Sequence, residues 1–391
     1  MKSKLILLIS IVAFLTSGCG LADPTGNGTS ARQLRIPVNL KENPAAVDVR
    51  TLKTLASIIV ELAAKKIVYV GEEHDKYSHH QIQLEILRGL YLQNPKIAVG
   101  MEMFQRPFQK ALDDYIEGRI DERMFLKESE YFKRWNIDYN LYKPILDFAR
   151  AHRLPVIALN ARQEIVSKVA KGGLESLTIE ERQQIAKDLD LSDVVYRARL
   201  RAVFAAHKQS QEKDFEFFYQ AQVVWDETMA ESIDRFLTGN PDYRIVVLAG
   251  GGHLQYGSGI PKRVFRRNPY EYSTVLNDAD VKPGIADFIV FPEPVKVPTT
   301  APTLGILLEE QQQGLRIAGF TKDSIAERAG LKIGDILIAL DEHPLSSSED
   351  LRIDLFYKRL GDTISLRTSR GNEDLQFKLL LEPAPLQTNV P

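Results

Sequence analysis

Four short runs of Val, Ile and Leu, set between longer segments of helical pattern, constrain this chain more than any other feature. They are residues 66–70 (KIVYV), 96–99 (KIAV), 155–159 (PVIAL) and 244–249 (RIVVLA). Strands this uniformly apolar belong where helices cover both faces of a parallel sheet. Residues 78–92, 142–152 and 215–237 carry apolar side chains at helical spacing. The alternation predicts an α/β fold, a mostly parallel sheet covered by helices. Such sheets bind ligands at the carboxyl ends of their strands, so the residues just after each run are the ones to read.

The first run is followed by Glu72, Glu73, His74, Tyr77, His79 and His80, and the second by Glu102. Asn160 and Arg162 follow the third. Gly250, Gly251, Gly252, His253 and Tyr256 follow the fourth, with Lys262 and Arg263 just beyond. Four of the seven histidines therefore fall at one predicted edge. Glu72 and Glu73 also suit a helix start, where acidic groups are favoured. The glycine run before His253 lets backbone approach a ligand closely. Taken together, these thirteen polar side chains form the expected ligand-binding set. Two chemistries are open to them. They can bind a ligand, or His74 and His253 with Glu73 and Glu102 can hold a metal or act as base and orienter. No HExxH or GxSxG motif selects a hydrolytic scheme, so catalytic and metal roles remain unassigned.

Lys2 and Lys4 precede an apolar run over residues 5–15 broken only by Ser10, and Thr16, Ser17, Gly18 and Cys19 follow. The run is shorter than the roughly 20 residues that span a bilayer, and it suits a signal peptide over residues 1–18. Small residues before the only cysteine resemble a bacterial lipobox, with Thr16 where Leu is usual. The resemblance implies lipidation of Cys19 and a membrane anchor. Gly20, in place of Asp, leans towards the outer membrane, facing the periplasm. Residues 19–45, rich in Gly, Pro, Asn, Ser and Thr, read as a flexible tether. An α/β domain over 46–291, a proline-rich linker over 292–302, a second domain over 303–382 and a tail over 383–391 complete the chain. The formal charge of −2, which loses two more positive charges with the signal peptide, gives no basic face for nucleic acid. A single cysteine excludes an intrachain disulfide, and the absence of CxxCH excludes c-type haem.

Family resemblances sharpen this. Gly71-Glu72-Glu73-His74, Gly100-Met101-Glu102-Met103-Phe104, Trp135 with Tyr142-Lys143-Pro144, Leu159-Asn160-Ala161, Ala221-Gln222 with Trp225-Asp226-Glu227-Thr228-Met229-Ala230, and the glycine-rich His253 segment look like the ChaN-like haem-binding lipoproteins. The match runs over residues 55–278. It implies haem as cofactor and a role in iron or haem acquisition. His or Tyr would meet the iron, and Lys or Arg the propionates. The family's wider group, the Tiki and erythromycin-esterase relatives, includes hydrolases. A metal-dependent or His/Glu-based hydrolase is therefore the alternative, ranked below haem binding. Residues 303–382 resemble the PDZ domains of HtrA-type proteases, through Leu304-Gly305-Ile306 and the 326–337 segment AERAGLKIGDIL. That small β-rich domain implies capture of an extended or C-terminal peptide of an envelope protein by strand addition. The expected partners are thus haem, such a peptide, the membrane through the lipid anchor, and a second copy in a homodimer.

Overall fold

The computed structural model describes residues 47–205, 212–297, 301–311 and 314–382. The expected signal peptide, Cys19, the tether and the 383–391 tail lie outside them, as does part of the proline-rich linker. The chain divides into two units, Met1–Leu52 and Lys53–Pro391. The first contributes a single 3-10 turn at Val49–Thr51. The second holds both folded parts.

The larger part is built on six strands, β1 (Ile67–Glu72), β2 (Ile97–Gln105), β3 (Val156–Asn160), β4 (Arg244–Gly250), β5 (Tyr272–Asn277) and β6 (Phe288–Val290). Their order is β3-β2-β4-β1-β5-β6, and every pairing is parallel. The first four coincide with the apolar runs. β5 and β6 add to that expectation. Ser273 and Thr274 interrupt the apolar character of β5, and β6 is a three-residue edge strand. β2 also runs further than its apolar start, through Gln105, with a register shift against β3 between Met101 and Gln105. Glu102 is therefore carried by a strand and not by the loop after it.

The helices are α1 (Leu55–Leu62), α2 (Tyr77–Gln93), α3 (Gln109–Ile116), α4 (Glu122–Glu128), α5 (Tyr131–Arg134), α6 (Lys143–Ala151), α7 (Gln163–Gly172), α8 (Ile179–Arg182), α9 (Val194–Ala205), α10 (Glu212–Gly239) and α11 (Ile260–Arg267). Alternation along the strands sends Val68, Val70, Val99, Met101, Val246 and Leu248 to one face, against residues of α2, α3 and α6. Ile67, Tyr69, Ala98, Val247 and Ala249 go to the other, against Met229, Ile233 and Leu237 of α10 and Ile260 and Val264 of α11. With both faces covered, uniformly apolar strands are what the packing requires.

The smaller part comprises β7 (Ile306–Gln311), β8 (Gly314–Phe320), α12 (Ile325–Arg328), β9 (Ile336–Leu340), β10 (His343–Pro344), α13 (Ser348–Phe356), β11 (Thr363–Arg370) and β12 (Glu373–Leu380). Its antiparallel sheet runs β12-β11-β9-β8-β7, with β10 on β9. Among the described residues β7 therefore has one partner and one open edge. Ser347 and Asp350 form a reciprocal capping box that fixes the start of α13. Among the described residues, no helix is long and apolar enough to cross a membrane.

Candidate functional site

β1 and β4 lie side by side at the middle of the sheet, and the chain leaves them in different directions. That opens a crevice at their carboxyl ends. β1 ends in Glu72, whose buried carboxylate organises one wall. Its Oε1 accepts from the Tyr142 hydroxyl at 2.7 Å and meets His74 Nδ1 at 2.7 Å. Its Oε2 accepts from Gln83 Nε2 at 2.7 Å and lies 3.2 Å from His80 Nδ1.

The protonation of His80 is set by its partners. Its Nε2 faces the His74 carbonyl at 3.1 Å, which can only accept. Its Nδ1 faces Gln83 Oε1 at 3.1 Å and the carboxylate. Gln83 already donates through Nε2 to Glu72 and to the Val70 carbonyl, so its oxygen accepts. Both ring nitrogens of His80 thus donate, which makes it an imidazolium. Burial alone would lower its pKa, but the Glu72 charge outweighs burial and the pKa is raised. His74 is raised in the same way, burial being overcome by its bond to Glu72. For Glu72 itself burial pushes up, and His80 and His74 hold it far below the usual carboxylate range.

The facing wall is built on His253. Its Nδ1 lies 2.5 Å from Oδ1 of Asp226, a fully buried carboxylate of α10. Asp226 Oδ2 accepts from the Tyr196 hydroxyl of α9, and Arg263 lies 3.9 Å away. His253 Nε2 is 3.5 Å from Glu102 Oε1, while Glu102 Oε2 accepts from the Gly250 amide at 2.7 Å. Burial lowers the His253 pKa, but Glu102 and Asp226 push it up to about 9.

Two carboxylate-held imidazoles therefore meet near Gly250, with Glu102 beside them. An added Cβ on Gly250 would stand 3.0 Å from His74 Cε1 and 3.2 Å from its Nε2, so only glycine leaves the ring its place. Trp135 packs edge-on against His74 with centroids 4.9 Å apart, and Trp225 against His253 at 5.9 Å. Glu72 and Asp226 each fix one ring nitrogen, the orientation used by ligating and proton-transferring histidines alike; the second nitrogen of His74 faces Gly250 and that of His253 faces Glu102. Among the described residues, no group of three or more His, Cys, Asp or Glu is arranged to hold a metal ion.

Of the residues singled out from the sequence, Glu72, His74, His80, Glu102 and His253 come together here. Asn160 supports them, its Nδ2 donating to the Glu102 carbonyl at 3.0 Å. Arg263 is buried behind Asp226, over the Tyr196 ring. The others lie apart. Glu73 pairs with Lys76 at 2.9 Å. His79 accepts from the Glu73 amide at 3.0 Å and meets Asp278 Oδ2 at 3.0 Å, tying β1 to the end of β5. Tyr77 packs against the core, Arg162 lies 3.7 Å from Glu164 and Lys262 pairs with Asp193 at 2.7 Å. Tyr256 stands at the rim, 44 % exposed, in the left-handed region at φ 59°, with its amide donating to the Ile285 carbonyl at 2.8 Å. Sequence reasoning met Tyr142 and Asp226 only as parts of the family motifs, gave them no role in the site, and did not select Tyr196 or Gln83. The charged pair Asp226-Glu227 inside an otherwise apolar helix face was the available signal.

In the smaller part, Gly305 takes φ +73°, and a Cβ there would strike Ser324 Cα at 2.8 Å. Leu304 is buried and Ile306 opens the edge strand β7. The turn stands immediately before β7, whose Glu310 accepts from the amide and hydroxyl of Ser348 at the start of α13.

Residues 58–264 match a family model described as haem-binding uptake, Tiki superfamily, ChaN. Residues 302–381 match a PDZ domain. The chain is 23 % identical over 233 residues to the chloroplastic protein RETICULATA-RELATED 5 of Arabidopsis thaliana, covering 55 % of this chain and 31 % of that protein. It is 37 % identical over 70 residues to the chloroplastic Protease Do-like 8 of the same plant, covering 15 % of this chain and 16 % of that one. The chain thus spans less than a third of the length of these curated relatives. A solved structure of ChaN of Campylobacter jejuni with cofacially bound haem superposes with a TM-score of 0.50 at 16 % identity, covering 61 % of this chain and 91 % of that one. At that identity the likeness speaks for the fold.

Proposed function

The chain belongs to the ChaN-like haem-binding family of the Tiki superfamily, and from that premise we propose that it takes up haem at the rim of the sheet crevice through Tyr256. The exposed Tyr256 phenol carries this reading. It stands on a left-handed residue, and among the described residues no hydrogen bond holds its hydroxyl. A phenolate oxygen is an established axial donor for haem iron. Lys282, held by Asp280 at 2.9 Å, is a cation that a propionate would share. His74 and His253 fit the group less well. Each has one nitrogen taken by a carboxylate and side-chain exposures of only 21 % and 14 %; Gly250 crowds the His74 ring, and Glu102 lies 3.5 Å from the other nitrogen of His253. Bound haem would supply iron as cargo for acquisition. The chain's own part is to hold it at Tyr256 and keep its propionates paired.

The same proposal includes a lipid anchor at Cys19, residence in the bacterial envelope at the outer membrane facing the periplasm, and assembly as a homodimer. It also includes capture of an extended peptide at the open edge of β7, its carboxylate resting on the amides around Gly305. A second reading, a hydrolase, is favoured by one observation. His253 Nε2, 3.5 Å from Glu102 Oε1, and the His74 ring stand beside the same carboxylate, an arrangement that suits general acid–base catalysis.

Haem titration of the full chain in detergent, read by absorption spectroscopy, tests the first reading. Stoichiometric binding with a spectrum altered in Tyr256→Phe and retained in His74→Ala and His253→Ala is expected. Binding indifferent to all three substitutions refutes the site. Ester turnover without haem that disappears in His74→Ala would favour the second reading.

A further inference from the structure

α13 has two buried faces. Leu351 and Leu355 pack into the PDZ core. Ile353 and Phe356 are instead buried in the cluster that holds Phe104, Phe125, Tyr131 and Tyr139 of the α/β domain. The Phe356 ring stands edge-on to Tyr139 at 5.4 Å and tilts against Phe132 at 6.1 Å. Polar contacts ring this apolar anchor. Arg352 donates to the Phe132 carbonyl at 2.7 Å, Lys127 pairs with Asp350 at 3.0 Å, and Arg123 pairs with Asp354. The Tyr357 hydroxyl donates to Glu122 at 3.2 Å. Apolar anchors inside a polar rim are the anatomy of a specific interface.

α13 is also one wall of the groove beside β7. Glu310 of β7 reaches across to it, accepting from the amide and hydroxyl of Ser348 at 3.0 and 2.7 Å. A peptide adding to the edge of β7 enters between these two elements, meets that bridge and bears on α13. On its other side α13 holds α5, through Phe132 and Arg352. The residue after α5 is Trp135, whose ring rests on His74. One helix thus touches the peptide groove on one face and, through α5, the support of the crevice on the other.

We propose that the PDZ groove is a control site for the crevice: a peptide with a free C-terminal carboxylate, entering between β7 and α13, shifts α13 against α5 and moves Trp135 and His74. This rests on the peptide-capture reading above. The contact is built with tension in it. Glu349, in the first turn of α13, is buried, and Oε1 has no hydrogen-bond partner among the described residues. Burial first, and then Glu130, push its pKa up to about 7, with Lys133 opposing and Asp350 adding to the rise. Glu349 is thus a buried acid left short of one partner at the junction.

The test uses the full chain labelled with ¹⁵N and the tightest binder from a displayed library of C-terminal hexapeptides. The chain has two tryptophans, so Trp225→Phe assigns the Trp135 indole signal. The expected result is that the Trp135 indole and the His74 ring titration move along the same binding curve as the Ile306 amide. Haem affinity should differ by about five-fold or more between peptide-free and peptide-bound chain, and peptide affinity by the same factor with haem. Arg352→Ala, or the milder Tyr357→Phe, should leave the Ile306 response and weaken the one at Trp135. A hexapeptide that moves Ile306 but neither Trp135 nor His74 overturns the coupling and leaves peptide capture standing. If no hexapeptide moves Ile306, peptide capture fails and the coupling falls with it. Should haem not bind, the two nuclear magnetic resonance signals still decide the matter.

Discussion

Asp226→Asn isolates what one carboxylate does for His253. In the folded chain the imidazole titrates at about 9, against 6.5 when free. Its side chain is only 14 % exposed, so solvent screens the pairing little. A folded-state pKa above the unfolded one stabilises the fold while the ring is charged. The contribution is complete below about pH 6.5 and is lost as pH rises through 9. At about 1.4 kcal/mol per unit it amounts to roughly 3 kcal/mol. Glu102 and Asp226 share the cause, so Asp226→Asn should remove part of it, on the order of 1–2 kcal/mol at pH 6. His74 and His80 are raised as well and give slopes of the same sign. The informative quantity is therefore the difference between the two proteins. Urea unfolding from pH 6 to 10 should show the gap narrowing as pH rises towards 9 and nearly closed above it, and the His253 ring signals should titrate near 9 in the wild-type chain and lower in the variant. A gap constant over that range, or a wild-type ring titrating near 6.5, would refute the reasoning.

Glu72→Gln should cost about 3–5 kcal/mol, because it leaves the His80 imidazolium buried without its counter-charge. Thermal unfolding measures it, and a loss below 1 kcal/mol would mean His80 is neutral. Gly250→Ala places a methyl group 3.0–3.2 Å from the His74 ring and should cost about 1–3 kcal/mol; the His74 ring signals should shift while those of His79 stay. Phe356→Ala should cost about 3–5 kcal/mol and lower the unfolding temperature of both domains together. Calorimetry that shows only the PDZ transition moving would separate the domains energetically.

The strands of the large domain were legible wherever both faces are buried, as in residues 66–70 and 244–249. β5 was not, because Ser273 and Thr274 are buried polar residues whose place is set by tertiary contacts such as the Asp287 carboxylate on the Thr274 amide at 2.7 Å. The same limit governs the site. Glu72 and His253 stand at strand ends, where the fold class already directs attention. Asp226 and Tyr196 reach the crevice from helices, where no strand-end rule points. His79 and His80 show how finely the outcome divides. They are neighbours in α2, and a helix turns about 100° per residue. That single step sends His80 to Glu72 and His79 to Asp278.

α13 supplies the most instructive case. Its sequence SEDLRIDLF holds Leu351 and Leu355 four apart, which the PDZ core accounts for. It also holds Ile353 and Phe356 three apart, on a different side, and a groove helix has no need of those. A helix that is apolar on two sides requires two partners. The proline-rich segment at 292–302 invites the view that the PDZ domain swings freely at the end of a spacer. The second stripe argues the reverse: the haem-binding domain is the other partner of the groove helix.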